Sequence, residues 1–231
     1  MTSRTEELAE RLRVVRARID AACARAGRSA DEVTLVVVTK AFPASDVRLL
    51  ASLGVRDVGE NRDQEASRKV RECADVDVVW HFVGQLQSNK ARSVARYADV
   101  VHSVDRVRLA DALSRAATSA GRSVTALVQV SLDDGPGRGG SRPGDVAAVA
   151  DRVASAPGLV LGGVMGVAPL GADPRPAFAR LARVSDALRA THPDATWVSA
   201  GMSADLETAL EHGATHVRVG SAILGERPPD G

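Results

Sequence analysis

Reactive side chains are scarce in this chain. Only two cysteines occur, Cys23 and Cys73, far apart and outside any C-x-x-C or Cys/His ligand spacing. That argues against a disulfide scaffold and gives no support to a zinc site; both read as small buried hydrophobes. A surplus of one charge is also missing: 30 Lys and Arg against 29 Asp and Glu leave a formal charge of +1. No strong field is available to gather nucleic acid or an anionic membrane. No apolar run reaches about 18 residues, and the opening MTSRTEELAE is charged where a signal peptide would be apolar. A soluble, cytoplasmic protein is expected.

The shortage that says most is lysine. The basic residues divide into 27 arginines and three lysines, Lys40, Lys69 and Lys90, so arginine serves wherever a positive charge is enough. Only lysine has an amine that can lose its proton near neutral pH and attack a carbonyl. Lys40 follows the apolar run LVVVT, a setting that desolvates the ammonium and favours the neutral amine. Lys69 and Lys90 lie among polar helical residues and read as solvated.

What the chain does have, over 231 residues at 45% hydrophobic and 26% charged, is ordinary globular composition. Residues 5–26 carry Leu8, Leu12, Val15, Ile19 and Ala22 on one stripe, an amphipathic helix stopped by Gly27. Eight β-branched runs then alternate with helical patterns: 34–40, 55–58, 78–83, 99–104, 124–131, 159–167, 195–200 and 215–220. Asp105 is placed to open one helix, which closes at Gly121, and Ser203 to open another, which stops at Gly213. Continuous apolar strands indicate burial on both faces, hence a parallel sheet wrapped by helices. Eight repeats in this length predict a closed (β/α)₈ TIM barrel over about 33–227, preceded by the extra helix, all one α/β domain. An open doubly wound sheet is the competing architecture.

In such a barrel the chemistry belongs at the C-terminal strand ends. The residues there are Lys40; Glu60 and Asn61; His81 and Gly84; Ser103 and Asp105; Ser131; Met165; Ser199, Gly201 and Ser203; and Arg218, Gly220 and Ser221. SAGMS and RVGS each place a glycine and a hydroxyl before a helix, the pieces of the phosphate site built after strands seven and eight. The plainer alternative is that Ser203 is an N-cap and Gly220 a tight turn. A desolvated amine facing a phosphate site suggests a phosphorylated aldehyde held as a Schiff base, and pyridoxal 5′-phosphate is the common one.

VVVTKAFP, GENRDQE, WHFVGQLQSNK, HSVDR, GVMGV and VSAGMSADLETALEHGATHVRVGSAILGER together resemble the pyridoxal phosphate homeostasis protein family, the YggS-like proteins, whose fold resembles the barrel domain of alanine racemase. The resemblance implies that Lys40 carries the cofactor, that Ser199, Ser203, Arg218, Gly220 and Ser221 surround its phosphate and ring nitrogen, and that Asn61, His81 and Met165 line the ring. Relatives often have a lysine two residues after the Schiff-base lysine and another after strand five; here those places hold Phe42 and, approximately, Arg138. The sequence therefore leaves open whether the cofactor transfers between lysines.

Arg218 opposite the ring nitrogen would leave the ring neutral and a weaker electron sink. Racemisation needs a second acid or base, a tyrosine in the racemase fold. The single tyrosine, Tyr97, falls in the segment feeding strand four, at the bottom of the barrel and remote from Lys40. A non-catalytic carrier or buffer of the cofactor, active in vitamin B6 homeostasis, is favoured over an amino-acid racemase. Apo-enzymes that use the cofactor are the expected recipients, and a monomer or weak dimer is expected. GPGRGG at 135–140 fits the dinucleotide fingerprint literally, but no acidic residue ends the next strand. His212 and His216 are four apart with Gly213 between them, which does not make a metal site.

Overall fold

The β-branched runs pair in parallel, and the first meets the last. In the computed structural model, which describes residues 3–133 and 139–226, β1 (Thr34–Val38), β2 (Asp57–Glu60), β3 (Val79–Phe82), β4 (Val100–Val104), β5 (Val124–Val130), β6 (Leu159–Gly166), β7 (Trp197–Ser199) and β8 (His216–Val219) form a closed barrel in sequence order. Closure comes from β1 beside β8, with Val37 opposite Val219. The fold is therefore the (β/α)₈ barrel, not the open sheet.

Helices α2 (Ala44–Ser52), α3 (Asp63–Glu72), α4 (Ala91–Val94), α5 (Val107–Ser119), α6 (Val146–Ser155), α7 (Arg175–Thr191), α8 (Leu206–Glu211) and α9 (Ser221–Leu224) follow the strands in turn. Outward-facing Val37, Val58, Phe82, Val101, Val128, Val164 and Val217 join Leu50, Leu109, Leu113, Val149, Leu181 and Leu206 of the helices in the main hydrophobic layer. Full burial of each such side chain is worth roughly 1.5–3 kcal/mol. Val36, Val38, Leu127 and Met165 are also buried but stand apart from that layer, inside the barrel.

The extra helix α1 (Arg4–Arg25) begins with a capping box. Ser3 Oγ accepts from the Glu6 N–H at 3.2 Å and the Ser3 N–H donates to Glu6 Oε2 at 2.7 Å. It buries the expected stripe against α8 and α9, and Gly27 at φ +66° follows its end.

Two local expectations fail for identifiable reasons. The second strand starts at Asp57 rather than Val55, because the Val55 N–H returns to the Leu50 carbonyl to close α2 after Gly54 at φ +80°. Asp105 does not cap α5: its carboxylate pairs with the Arg106 guanidinium instead. Among the described residues, no helix is long and apolar enough to cross a membrane. The sequence motif at 135–140 lies largely outside the described residues, as does Arg138.

Candidate functional site

The turn after β1 is held from below. Lys40 is half-buried at its tip. Ala41 follows at φ +67°, the one described non-glycine residue in the left-handed region, and the Phe42 N–H returns to the Thr39 carbonyl at 3.0 Å. The Ala41 N–H donates to Glu65 Oε1 at 2.5 Å. The same Glu65 oxygen accepts from Lys69 Nζ at 3.1 Å, and that amine also donates to the Thr39 carbonyl at 2.8 Å and to Glu60 Oε1 at 2.5 Å. Lys69 is thus not solvated, as its polar neighbours suggested, but 2% exposed. α3 places Glu65 and Lys69 one turn apart on the face turned toward the barrel, where two carboxylates compensate the ammonium. Burial pushes the Glu60 carboxyl above its usual range despite Lys69 and the Thr39 hydroxyl.

Strands β7 and β8 end on the opposite side of β1. Gly201 at φ +89° packs so tightly on α8 that a Cβ would lie 2.7 Å from that of Ala209. α8 begins with Asp205 as N-cap, and the Asp205 carboxylate accepts from the Met202 N–H at 2.6 Å. Ser203 is therefore not the cap. Its hydroxyl accepts from Ser221 Oγ at 3.2 Å and from the Ala222 N–H at 3.4 Å. SAGMS and RVGS meet at these hydroxyls, and the Gly220 position faces the Val38 carbonyl, two residues before Lys40. From α1, Arg18 donates to the Ser203 carbonyl at 2.9 Å and forms a fork with Glu207 at 2.7 and 2.9 Å.

The barrel interior is polar below this rim. Arg218 is fully buried and donates to Ser199 Oγ at 2.6 Å and to the Gly166 carbonyl at 3.0 Å. Burial lowers its pKa to about 10. Ser199 Oγ lies 2.9 Å from His102 Nδ1, His102 Nε2 lies 2.8 Å from His81 Nδ1, and His81 Nε2 lies 2.9 Å from Asp57 Oδ1. His216 stacks on Trp197 with centroids 4.3 Å apart.

The structure thus gathers Lys40, Ser199, Ser203, Arg218, Gly220 and Ser221 around the C-terminal mouth between β7, β8 and β1. Met165, buried, stands opposite Ser199 in the β6–β7 register. Asn61 is half-buried, and its backbone is pressed on Gly84, where a Cβ would lie 2.1 Å from the Asn61 carbonyl oxygen. His81 sits deeper and reaches Arg218 only through His102 and Ser199. Ser131 is engaged within its own loop, its hydroxyl on the Asp133 carbonyl at 2.8 Å.

Tyr97 corrects an expectation. It precedes β4 as read, but its buried hydroxyl lies in the field of Asp63, at the start of α3, and of Glu60; burial first, and then these carboxylates, push its pKa upward. It is therefore not confined to the bottom of the barrel. Asp57, His102, Glu65 and Arg18 were missed in the sequence. The usable signal for His102 was its place in β4 two residues from Val100, on the same period of a strand rich in valine.

Comparison with known proteins places this geometry. The family model for the N-terminal domain of alanine racemase matches residues 11–228. The Mycobacterium tuberculosis (strain H37Rv) pyridoxal phosphate homeostasis protein is 46% identical over 243 residues, covering 97% of this chain and 94% of that protein. The chain belongs to the pyridoxal phosphate homeostasis protein family. Among solved structures, PipY of Synechococcus elongatus PCC7942 with PLP bound is similar at 35% identity and a TM-score of 0.84, covering 94% of this chain and all of that one. An unknown protein from Bifidobacterium adolescentis matches at a TM-score of 0.88 and 32% identity, covering 95% of each chain.

Proposed function

We propose that this chain is a pyridoxal 5′-phosphate-binding protein of cofactor homeostasis, which holds the cofactor through Lys40 and releases it without turnover. The carrying observation is the convergence of one half-buried amine, two adjoining hydroxyls beside glycine turns, and one buried guanidinium at a single barrel mouth. The donor set fits the cofactor. Ser203 and Ser221 offer hydroxyls to a phosphate where Gly201 and Gly220 bring the backbone close. Arg218, held by Ser199, offers a donor to a ring nitrogen, and Asn61 and Met165 flank the space between. His81 supports this group from beneath.

When bound, the cofactor supplies an aldehyde that condenses with a primary amine and a conjugated ring that can accept electrons. The residues here favour holding it over using it. Arg218 stays charged at neutral pH, so it would donate to the ring nitrogen and leave it unprotonated. Tyr97, buried and with its pKa raised, is a poor proton acceptor and donor for a substrate carbon. Apo-enzymes that require the cofactor are the recipients this reading implies, in the cytoplasm.

Mixing the protein with pyridoxal phosphate should give the visible absorbance of a Schiff base, and Lys40→Ala should abolish it. Borohydride reduction followed by peptide mapping should place the label on Lys40; a label on Lys69 or Lys90 would overturn the assignment. Incubation of the loaded protein with D- or L-alanine should leave the enantiomer unchanged. Steady racemisation at about 1 s⁻¹, slow for an enzyme, would replace the carrier reading with the racemase.

A further inference from the structure

The five polar groups inside the barrel form one unbroken line from its base to the site. Their hydrogen positions follow from chemistry. Asp57 enters from the first residue of β2, at the end of the barrel opposite Lys40, and its side chain is about a quarter exposed (24%). A carboxylate only accepts, so His81 must donate from Nε2. With a single ring proton, His81 then accepts at Nδ1, which requires His102 to donate from Nε2. His102, completely buried among His81, Arg218 and His216, is held neutral, its pKa well below the ordinary value through burial first and these neighbours second. Its Nδ1 is therefore an acceptor, which the Ser199 hydroxyl supplies with a proton. Ser199 Oγ in turn accepts from Arg218 Nη1. Every hydrogen points the same way, from the guanidinium toward the carboxylate.

Among the described residues Arg218 has no carboxylate within ion-pair distance, and the charge that supports it directly is that of Asp205, at the start of α8; a buried charge so weakly compensated is costly. We propose that Asp57, His81 and His102 are positioning residues: they lock the Ser199 hydroxyl and the Arg218 guanidinium in place, and Asp57 adds to Asp205 a second, more distant counter-charge, connected to Arg218 through that aligned line. The consequence for the cofactor rests on the reading of Arg218 above; the arrangement of the line does not.

The titratable groups facing His81 are Asp57 from β2, His102 from β4, and His216 and Arg218 from β8. β1 contributes only Val36 and Val38, turned in beside Gly59. A doubly protonated His81 would reverse the His81–His102 and His102–Ser199 bonds while Arg218 could still only donate, and the Ser199 proton would lose its acceptor. The two arrangements are therefore distinct states rather than shades of one.

Two measurements test this. In cofactor-free protein with ¹⁵N-labelled histidine, long-range proton–nitrogen correlation should show both His81 and His102 as neutral Nε2–H tautomers through neutral pH. An Nδ1–H tautomer at His102, or an imidazolium at His81, would overturn the line whether or not the cofactor binds. In the loaded protein, Asp57→Asn keeps the acceptor for His81 and removes the charge. It should weaken pyridoxal phosphate retention about tenfold, the scale of lost outer-shell support. It should also move the pH midpoint of the visible band downward, because the positive potential at the site is then less offset. Unchanged retention and midpoint in Asp57→Asn would refute the counter-charge role. Failure of the unmutated chain to bind pyridoxal phosphate would instead remove the cofactor reading and leave the tautomer result to decide the line.

Discussion

Ala41 holds a conformation that costs an L-residue about 1–2 kcal/mol, and it directly follows the amine on which the function depends. The strain persists because Glu65 and Thr39 fix the backbone on both sides. Ala41→Gly should therefore stabilise the fold by up to about 1 kcal/mol in urea denaturation while loosening the turn, so that pyridoxal phosphate dissociates faster; slower or unchanged release would show that the strain serves no purpose at the site. Lys69 acts on the same turn from beneath. Lys69→Met leaves Glu60 buried with only the Thr39 hydroxyl, a loss on the order of 3 kcal/mol at neutral pH. Glu60 already sits above the ordinary carboxylate range and without Lys69 would rise further. The folded variant then takes up a proton more readily than the unfolded chain, so part of its stability should return as pH falls into the mildly acidic range. Denaturation at two pH values checks both sign and size.

At the scale of elements, α1 is more than a cover for the barrel. Its apolar stripe was legible because a 3.6-residue period survives in sequence, whereas the Arg18 fork to Glu207 and its bond to the Ser203 carbonyl span 189 and 185 residues and leave no local trace. Removing this half-exposed pair by Arg18→Ala should cost no more than about 1 kcal/mol in stability. Retention of pyridoxal phosphate, measured by equilibrium dialysis, should nevertheless fall several-fold, because the Ser203 loop loses its brace; equal retention would make the contact merely structural. Lys69 shows the converse limit. Its polar sequence neighbours are real, but α3 turns Lys69 inward beside Ala66, and burial of a charged residue there depends on partners, Glu60 and Glu65, that only folding supplies. Ser203 was ambiguous in sequence between a cap and a phosphate ligand, and α8 starts only two residues later, at Asp205, which leaves the Ser203 hydroxyl outside the helix.

For the whole molecule, the strand and helix alternation and the rim residues could be read from local pattern, because each βα unit repeats the same short-range signals. The barrel interior could not. His102 and His216 sit within short strands rich in valine, and only closure of β8 onto β1 turns them toward one another and toward Asp57. That concealed polarity has a thermodynamic consequence. Burial lowers the pKa of His216 to about 4 and that of His102 well below the ordinary value of 6.5. The folded state thus binds fewer protons than the unfolded chain in this window. The contribution is complete above about pH 6.5 and is lost as pH falls toward 4, by about 1.4 kcal/mol per pH unit for each ring well below the unfolded pKa. Glu60, shifted upward, works in the opposite direction over part of the same range, so the histidine share is isolated by difference. His216→Phe keeps an aromatic ring against Trp197 and removes one titrating group. Its stability, measured in denaturant from neutral to about pH 5, should fall less steeply than that of the unmodified chain by the equivalent of one proton. Parallel curves would mean that His216 is charged in the folded barrel, and the neutral interior inferred for this fold would be wrong.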